Sequence, residues 1–159
     1  MSGEVIIYTD GAASGNPGPG GYGVVMIYGK HRLEKSDGYK LTTNNRMELM
    51  AVITGLESLK KDGCKVQVYT DSKYVSDAVE KGWVFQWESK GFRKKKNRDL
   101  WIRFLKAYRK HNVSFQWIKG HSSDPENELC DKMAVEASRK PGLSEDTGYS
   151  HDEDEIPFM

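Results

Sequence analysis

The sequence predicts an α/β fold, a five-stranded mixed sheet flanked by helices, and three observations predict it. Runs of β-branched and aromatic residues recur at 4–9, 22–28, 32–41, 65–70 and 113–118. The first three follow one another with no helical stretch between them, the second and third through a short connection, as an antiparallel meander does. The last two are reached only after stretches with helical spacing, and strands that arrive after helices pair in parallel with the first. The expected sheet therefore has three antiparallel strands and two parallel additions.

Each element has a local reason. Residues 4–9 read as a buried strand, and GAASGNPGPGGYG (11–23) is dense enough in Gly and Pro to read as a turn. GKH (29–31) connects the second and third strands. From Asn44 to about Lys61 the apolar positions take helical spacing, and DGC (62–64) stops it. Ser72 can cap a helix running to about Lys81. Residues 83–98 are an aromatic and basic interruption before a helix at 99–110. A loop at 119–124 precedes the last helix, which Pro125 opens and which ends near Arg139. Past Pro141 no apolar periodicity remains. The expected division is a domain of residues 1–141 and an acidic, disordered tail of residues 142–159.

The 159 residues suit one domain with a real core. Charged residues make up 30% and hydrophobic ones 37%, a soluble globular composition. Nothing approaches the roughly 18 consecutive apolar residues that span a bilayer. The start, MSGEVIIYTD, has neither the basic nor the apolar region of a secretory signal. Cys64 and Cys130 form no CxxC pattern and fit reduced thiols of a cytoplasmic protein rather than a zinc site. The net charge of +1 hides an asymmetry. Residues 142–159 hold six acids and no Lys or Arg, leaving 24 basic against 17 acidic residues, or +7, on the rest. A basic body points to a polyanionic partner, nucleic acid first, although ordinary solvated faces would give the same count.

YTD occurs at 8–10 and again at 69–71, each time closing a predicted strand with an aspartate. In open α/β sheets, sites form outside the carboxyl ends of parallel strands. Neighbouring strands lie about 4.8 Å apart, so Asp10 and Asp71 would repel unless a proton or cation sat between them. Taken singly, each is as well explained by a turn. Glu48 adds a carboxylate to the helical stripe Glu48, Val52, Leu56, Leu59; its alternative is a capping box with Asn45. Asp131 lies in the last helix, where alone it reads as a surface acid. His121 lies in the loop KGHSSDPEN, and a lone loop histidine is usually incidental. Carboxylates without clustered Cys or His imply a hard cation such as Mg²⁺. Paired ions about 3.5–4 Å apart serve phosphodiester chemistry. No GxxxxGK[ST] phosphate loop is present, which disfavours nucleotide hydrolysis.

Four segments, YTDGAASGNPGPGGYG (8–23), TTNNRMELMAVITGLESL (42–59), VYTDSKYV (68–75) and WIKGHSSDPENELCDKMA (117–134), resemble in order those of ribonuclease H type 1. The resemblance runs from residue 4 to about 139 and implies a ribonuclease H-like fold. It further implies cleavage of the RNA strand of RNA–DNA hybrids with two Mg²⁺ ions, Mn²⁺ being an alternative. It matches Asp10, Glu48, Asp71 and Asp131 to metal-binding carboxylates and His121 to a loop histidine that assists proton transfer or product release. By the same resemblance Asn16, Asn44 and Asn45 face the RNA strand, where an amide can read the 2′-hydroxyl. Thr43 and Asn97 would hold a phosphate of the DNA strand.

The segment 83–101 is similar to the family's basic protrusion. Lys94, Lys95 and Lys96, with Lys90, Arg93 and Arg98, can meet phosphates, while Trp83 and Trp87, spaced i, i+4, read as core. Lys73 stands where the family often has a neutral amide. A non-catalytic hybrid-binding module and a same-fold nuclease for another nucleic-acid structure, such as a junction resolvase, are the competing functions. The end DEDEIPFM resembles the acidic tip of single-stranded-DNA-binding proteins. That tip could mark a shared partner or dock intramolecularly on the basic body; a solubilising tail is the plainer alternative. A monomer is the expected state.

Overall fold

The computed structural model describes residues 3–120 and 124–149. Five strands form one sheet: β1 (Glu4–Ala13), β2 (Gly18–Tyr28), β3 (His31–Thr42), β4 (Lys65–Thr70) and β5 (Asn112–Trp117), in the order β3-β2-β1-β4-β5. β1, β2 and β3 pair antiparallel; β4 joins β1 in parallel and β5 joins β4 in parallel. This is the expected mixed sheet. The helices are α1 (Asn44–Glu57), α2 (Lys73–Glu80), α3 (Trp83–Ser89), α4 (Arg98–Tyr108) and α5 (Pro125–Ser138).

The core lies between the sheet and α1, where Ile7, Val24, Leu49, Ile53, Leu56, Val68, Trp101 and Phe104 pack with at most 1% exposure. Successive glycines of β2 point to opposite faces, as strand alternation requires. A side chain on Gly20 would meet Met47 of α1, and one on Gly23 would strike the Cys130 carbonyl of α5. α1 and α5 therefore sandwich the sheet.

The stretch 11–23, expected as a turn, is mostly strand. β1 runs on to Ala13 and β2 begins at Gly18, leaving only 14–17 as the turn. Glycine is used here for close backbone approach rather than for bending. α1 also ends earlier than its apolar spacing predicts, at Glu57, where the Ser58 N–H bonds back to the Thr54 and Gly55 carbonyls.

The basic segment contains α3. Val84 takes its fully buried position, and the neighbouring Trp83, expected in the core, is turned outward and 41% exposed with the Lys81 ammonium over its ring. Trp87 does pack inward, edge-on to Trp101.

Residues 142–149, expected to carry no structure, lie against the body: Ser144 bridges Tyr39, and Asp146 pairs with Arg46. Burial of a matched ion pair, invisible to apolar periodicity, is what holds them. Residues 150–159, with the tip resembling single-stranded-DNA-binding proteins, lie outside the described residues. Among the described residues no helix is long and apolar enough to cross a membrane.

Candidate active site

Asp10 and Asp71 reach the same sheet edge because their strands run in register. Tyr8 pairs with Tyr69 across β1 and β4, their rings stacked at 4.9 Å. Two residues beyond each tyrosine comes the aspartate. Asp10 is still within β1, while Asp71 has just left β4.

Glu48 comes from α1. Thr43 caps that helix, its hydroxyl accepting from the Arg46 N–H at 3.2 Å. Glu48 therefore sits beyond the third helical position, and the capping box with Asn45 does not form. The Glu48 side chain turns instead to the sheet edge, and carboxylate oxygens of Asp10, Glu48 and Asp71 lie within 4.8 Å of one another.

That crowding has an electrostatic signature. Burial first, then the Asp71 charge, push the Asp10 carboxyl up to about 8, despite the Gly11 N–H that donates to it at 2.9 Å. Burial, then Asp10 and Asp71, hold Glu48 well above the carboxylate range. Glu48 Oε1 and Asp71 Oδ1 are buried with no hydrogen-bond partner among the described residues. Buried, orphaned, mutually repelling oxygens fit a hard divalent cation, which would satisfy all three groups at once.

Asp131 is not part of this 4.8 Å group. It is half-buried on α5, and its charge adds to those raising Asp10. Close packing brings it this near: Asp124 caps α5 through the Glu126 and Asn127 N–H groups, and Gly21 and Gly23 admit the helix backbone onto β2. His121 lies outside the described residues.

The expected RNA-facing amides are brought together. Asn44 Oδ1 accepts from the Ala13 N–H at 2.6 Å, and the Asn44 N–H donates to Asn16 Oδ1 at 3.1 Å. The start of α1 is thereby tied to the turn after β1. Asn45 is exposed beside them. Thr43 is half-buried at the helix start. The Asn97 side chain is buried, accepting from Arg46 at 3.3 Å and donating to the Tyr74 hydroxyl at 3.0 Å. Lys94, Lys95 and Lys96 are exposed, with the Lys95 ammonium 5.0 Å from the centre of the Trp87 ring.

Three site features escaped sequence reasoning. The Trp117 indole N–H donates to the Asp71 carbonyl at 3.0 Å, and the Lys73 ammonium lies 4.6 Å from the centre of the Trp117 ring. Gly11 admits the α1 backbone against Asp10's neighbour. Arg46 is the third. Only its place one turn before Met50, among otherwise apolar buried positions of α1, could have marked it as a buried charge needing a partner.

The sequence profile of the RNase H family matches residues 2–139. A ribonuclease H from Desulforamulus reducens is 57% identical over 145 residues, covering 88% of this chain and 91% of its own length. One from Trichodesmium erythraeum is 56% identical over 92% of this chain and 96% of its own length. Among solved structures, LC9-RNase H1, described as a type 1 RNase H with the type 2 active-site motif, superposes with a TM-score of 0.80. It is 29% identical and covers 98% of this chain and 81% of its own. LC11-RNase H1 in complex with an RNA/DNA hybrid gives a TM-score of 0.62 at 30% identity, over 84% of this chain and 95% of its own.

Proposed function

The chain belongs to the ribonuclease H family, and on that premise we propose that it is a metal-dependent endonuclease that hydrolyses the RNA strand of RNA–DNA hybrids, leaving 5′-phosphate and 3′-hydroxyl ends. The observation that carries the reading is the carboxylate cluster of Asp10, Glu48 and Asp71 with its orphaned buried oxygens. A structural neighbour solved with an RNA/DNA hybrid supports the substrate.

Asp10, Glu48 and Asp71 would hold the metal ions, with Asp131 contributing from α5. Two Mg²⁺ ions bound there would supply an activated water and stabilise the leaving oxygen, with Mn²⁺ as the alternative. The chain's own residues do the rest. The paired strands hold Asp10 and Asp71 at one edge, and the Asn16–Asn44 contact shapes the surface that meets the RNA strand. Asn45 stands exposed to read a 2′-hydroxyl there. Thr43 and Asn97 hold a phosphate of the DNA strand, and Lys94, Lys95 and Lys96 attract its phosphates. His121 is assigned proton transfer or product release.

We take residues 1–141 as the nuclease domain, acting as a cytoplasmic monomer. The acidic end of the tail would serve a single-stranded-DNA-binding partner or dock intramolecularly. The decisive experiment compares cleavage of a hybrid, double-stranded RNA and a four-way junction, in Mg²⁺ and then Mn²⁺. Selective cutting of the RNA strand is expected. Junction cutting would favour the resolvase, and hybrid binding without cleavage in either ion the non-catalytic module.

A further inference from the structure

We propose that Asp146 is a positioning residue for hybrid cleavage: it straps residues 144–148 onto the body and, through Arg46, sets the two segments that grip the DNA strand. The inference rests on the reading that Thr43 and Asn97 hold a phosphate of that strand.

The strap begins at β3. The Ser144 carbonyl accepts from the Lys40 N–H at 2.9 Å, and Ser144 forms a parallel bridge to Tyr39. Two residues on, Asp146 Oδ2 accepts from the Thr42 hydroxyl at 2.7 Å and from Arg46 Nε at 2.7 Å, and Oδ1 accepts from Arg46 Nη2 at 2.9 Å. The same guanidinium donates to both oxygens of Asp99 at 2.8 Å and to Asn97 Oδ1 at 3.3 Å. All five N–H donors that an arginine owns are thus engaged. The Arg46 side chain is 1% exposed and that of Asp146 10%.

The location gives this network a role beyond holding the fold. Thr42 directly precedes the α1 cap, Thr43, and Arg46 lies in the first turn of α1. Asn97 and Asp99 open α4, and Asn97 passes the contact on to the Tyr74 hydroxyl, which also accepts from the Trp101 indole at 2.9 Å. One carboxylate from the strap therefore bonds to the entrance of α1 directly and to the entrance of α4 through one side chain. A buried guanidinium cannot lose the charge and one acceptor oxygen of its partner without cost. Once Asp146 is neutralised, Arg46 must shift or admit water, and both helix entrances shift with it. The metal carboxylates are left alone, because none of them touches Arg46 among the described hydrogen bonds.

The test is Asp146→Asn in the full chain, assayed on a hybrid with Mg²⁺ at a temperature where its melting curve shows it folded. KM should rise roughly tenfold or more, the size expected from losing charge-assisted bonds, with kcat little changed. The salt dependence of KM should weaken by about one phosphate contact. Asp146→Glu should recover part of the loss. A milder variant, Thr42→Val, removes only the hydroxyl bond and should move KM the same way by less, which keeps the test alive if Asp146→Asn does not fold. Unchanged KM and salt slope with a lowered Tm would make the strap purely structural and overturn the inference. A fall in kcat at constant KM would overturn it too, by placing the effect at the metal site. Failure of the unaltered chain to cut the hybrid would sink the functional reading instead, which separates the two failures.

Discussion

Gly11 of β1 lies directly against the α1 backbone where Met47 joins Glu48, with no space between for a side chain. It follows Asp10, so this contact sets how near the Glu48 carboxylate comes to the Asp10 carboxylate. Gly11→Ala should push α1 off the sheet, costing about 1–3 kcal/mol of stability from overpacking. A displacement of about 1 Å at a reacting centre costs on the order of a hundredfold in rate, so kcat should fall that far while KM changes little. Hybrid cleavage kinetics and a melting curve check both, and an unchanged kcat would show that the spacing tolerates slack.

The crowded carboxylates make the metal-free protein sensitive to alkali. Burial, then Asp71, lift Asp10 to about 8 in the fold, against about 3.9 in the unfolded chain. The folded state then binds more protons, so stability declines as pH rises between those values and the full penalty applies above them. Asp10→Asn removes the penalty. The metal-free variant should exceed the parent in stability at pH 8–9 and match it near pH 4. The same variant should bind hybrid and fail to cut it. Denaturant curves across pH read the first outcome, and persistent cleavage would contradict the assigned role of Asp10.

A divalent ion that occupies the cluster should stabilise the fold by mass action. At about a hundredfold excess over its Kd, Mg²⁺ should add about 2.7 kcal/mol, seen as a rise in Tm that a chelator reverses. Asp10→Asn and Glu48→Gln should blunt the rise. A Tm indifferent to Mg²⁺ in the parent would count against the Asp10–Glu48–Asp71 site.

Two arginines offer a calibration of buried against exposed charge. Arg46→Ala leaves the Asp146 carboxylate buried without its partner and should cost about 3–5 kcal/mol. Arg32, bonded to Glu34 and to Glu126 of α5 but 39% exposed, should cost under about 1 kcal/mol when made Ala. Burial raises the Asp146 pKa, but the bonds from Arg46 and Thr42 outweigh it and the net lies below the usual range. Its contribution is therefore present above the unfolded pKa and lost as pH falls through the folded one. A chain ending after Tyr149 keeps the ion pair, whereas one ending after Pro141 should melt lower. Equal Tm values for the two would contradict the strap.

How far the sequence reaches is clearest at particular residues. β1 and β4 were legible from β-branched runs that each end on aspartate, and their parallel pairing followed from the intervening helix. The ordered motifs located Asp10, Glu48 and Asp71, and the structure gathers these into one cluster. Both are local signals: side-chain periodicity and short spacing survive in one dimension. Gly11, Gly20 and Gly21 read as turn residues, because a glycine that serves close approach looks in sequence like one that serves a turn. Trp83 faced outward because Val84 took the buried position, a choice made by packing against the rest of the body.

The longest-range features were decided only by the tertiary structure. Arg46 and Asp146 are a hundred residues apart, and neither carries a local mark of the other. The separation of Asp131 from the three gathered carboxylates depends on how closely α5 settles on β2, which backbone contact sets. By itself the sequence determined the mixed sheet and the three acids at its edge, because hydrophobic alternation and strand register act between neighbours. The tertiary structure decided which buried charges meet and how near each helix comes, because desolvated ion pairs and backbone clearance exist only once distant segments are packed together.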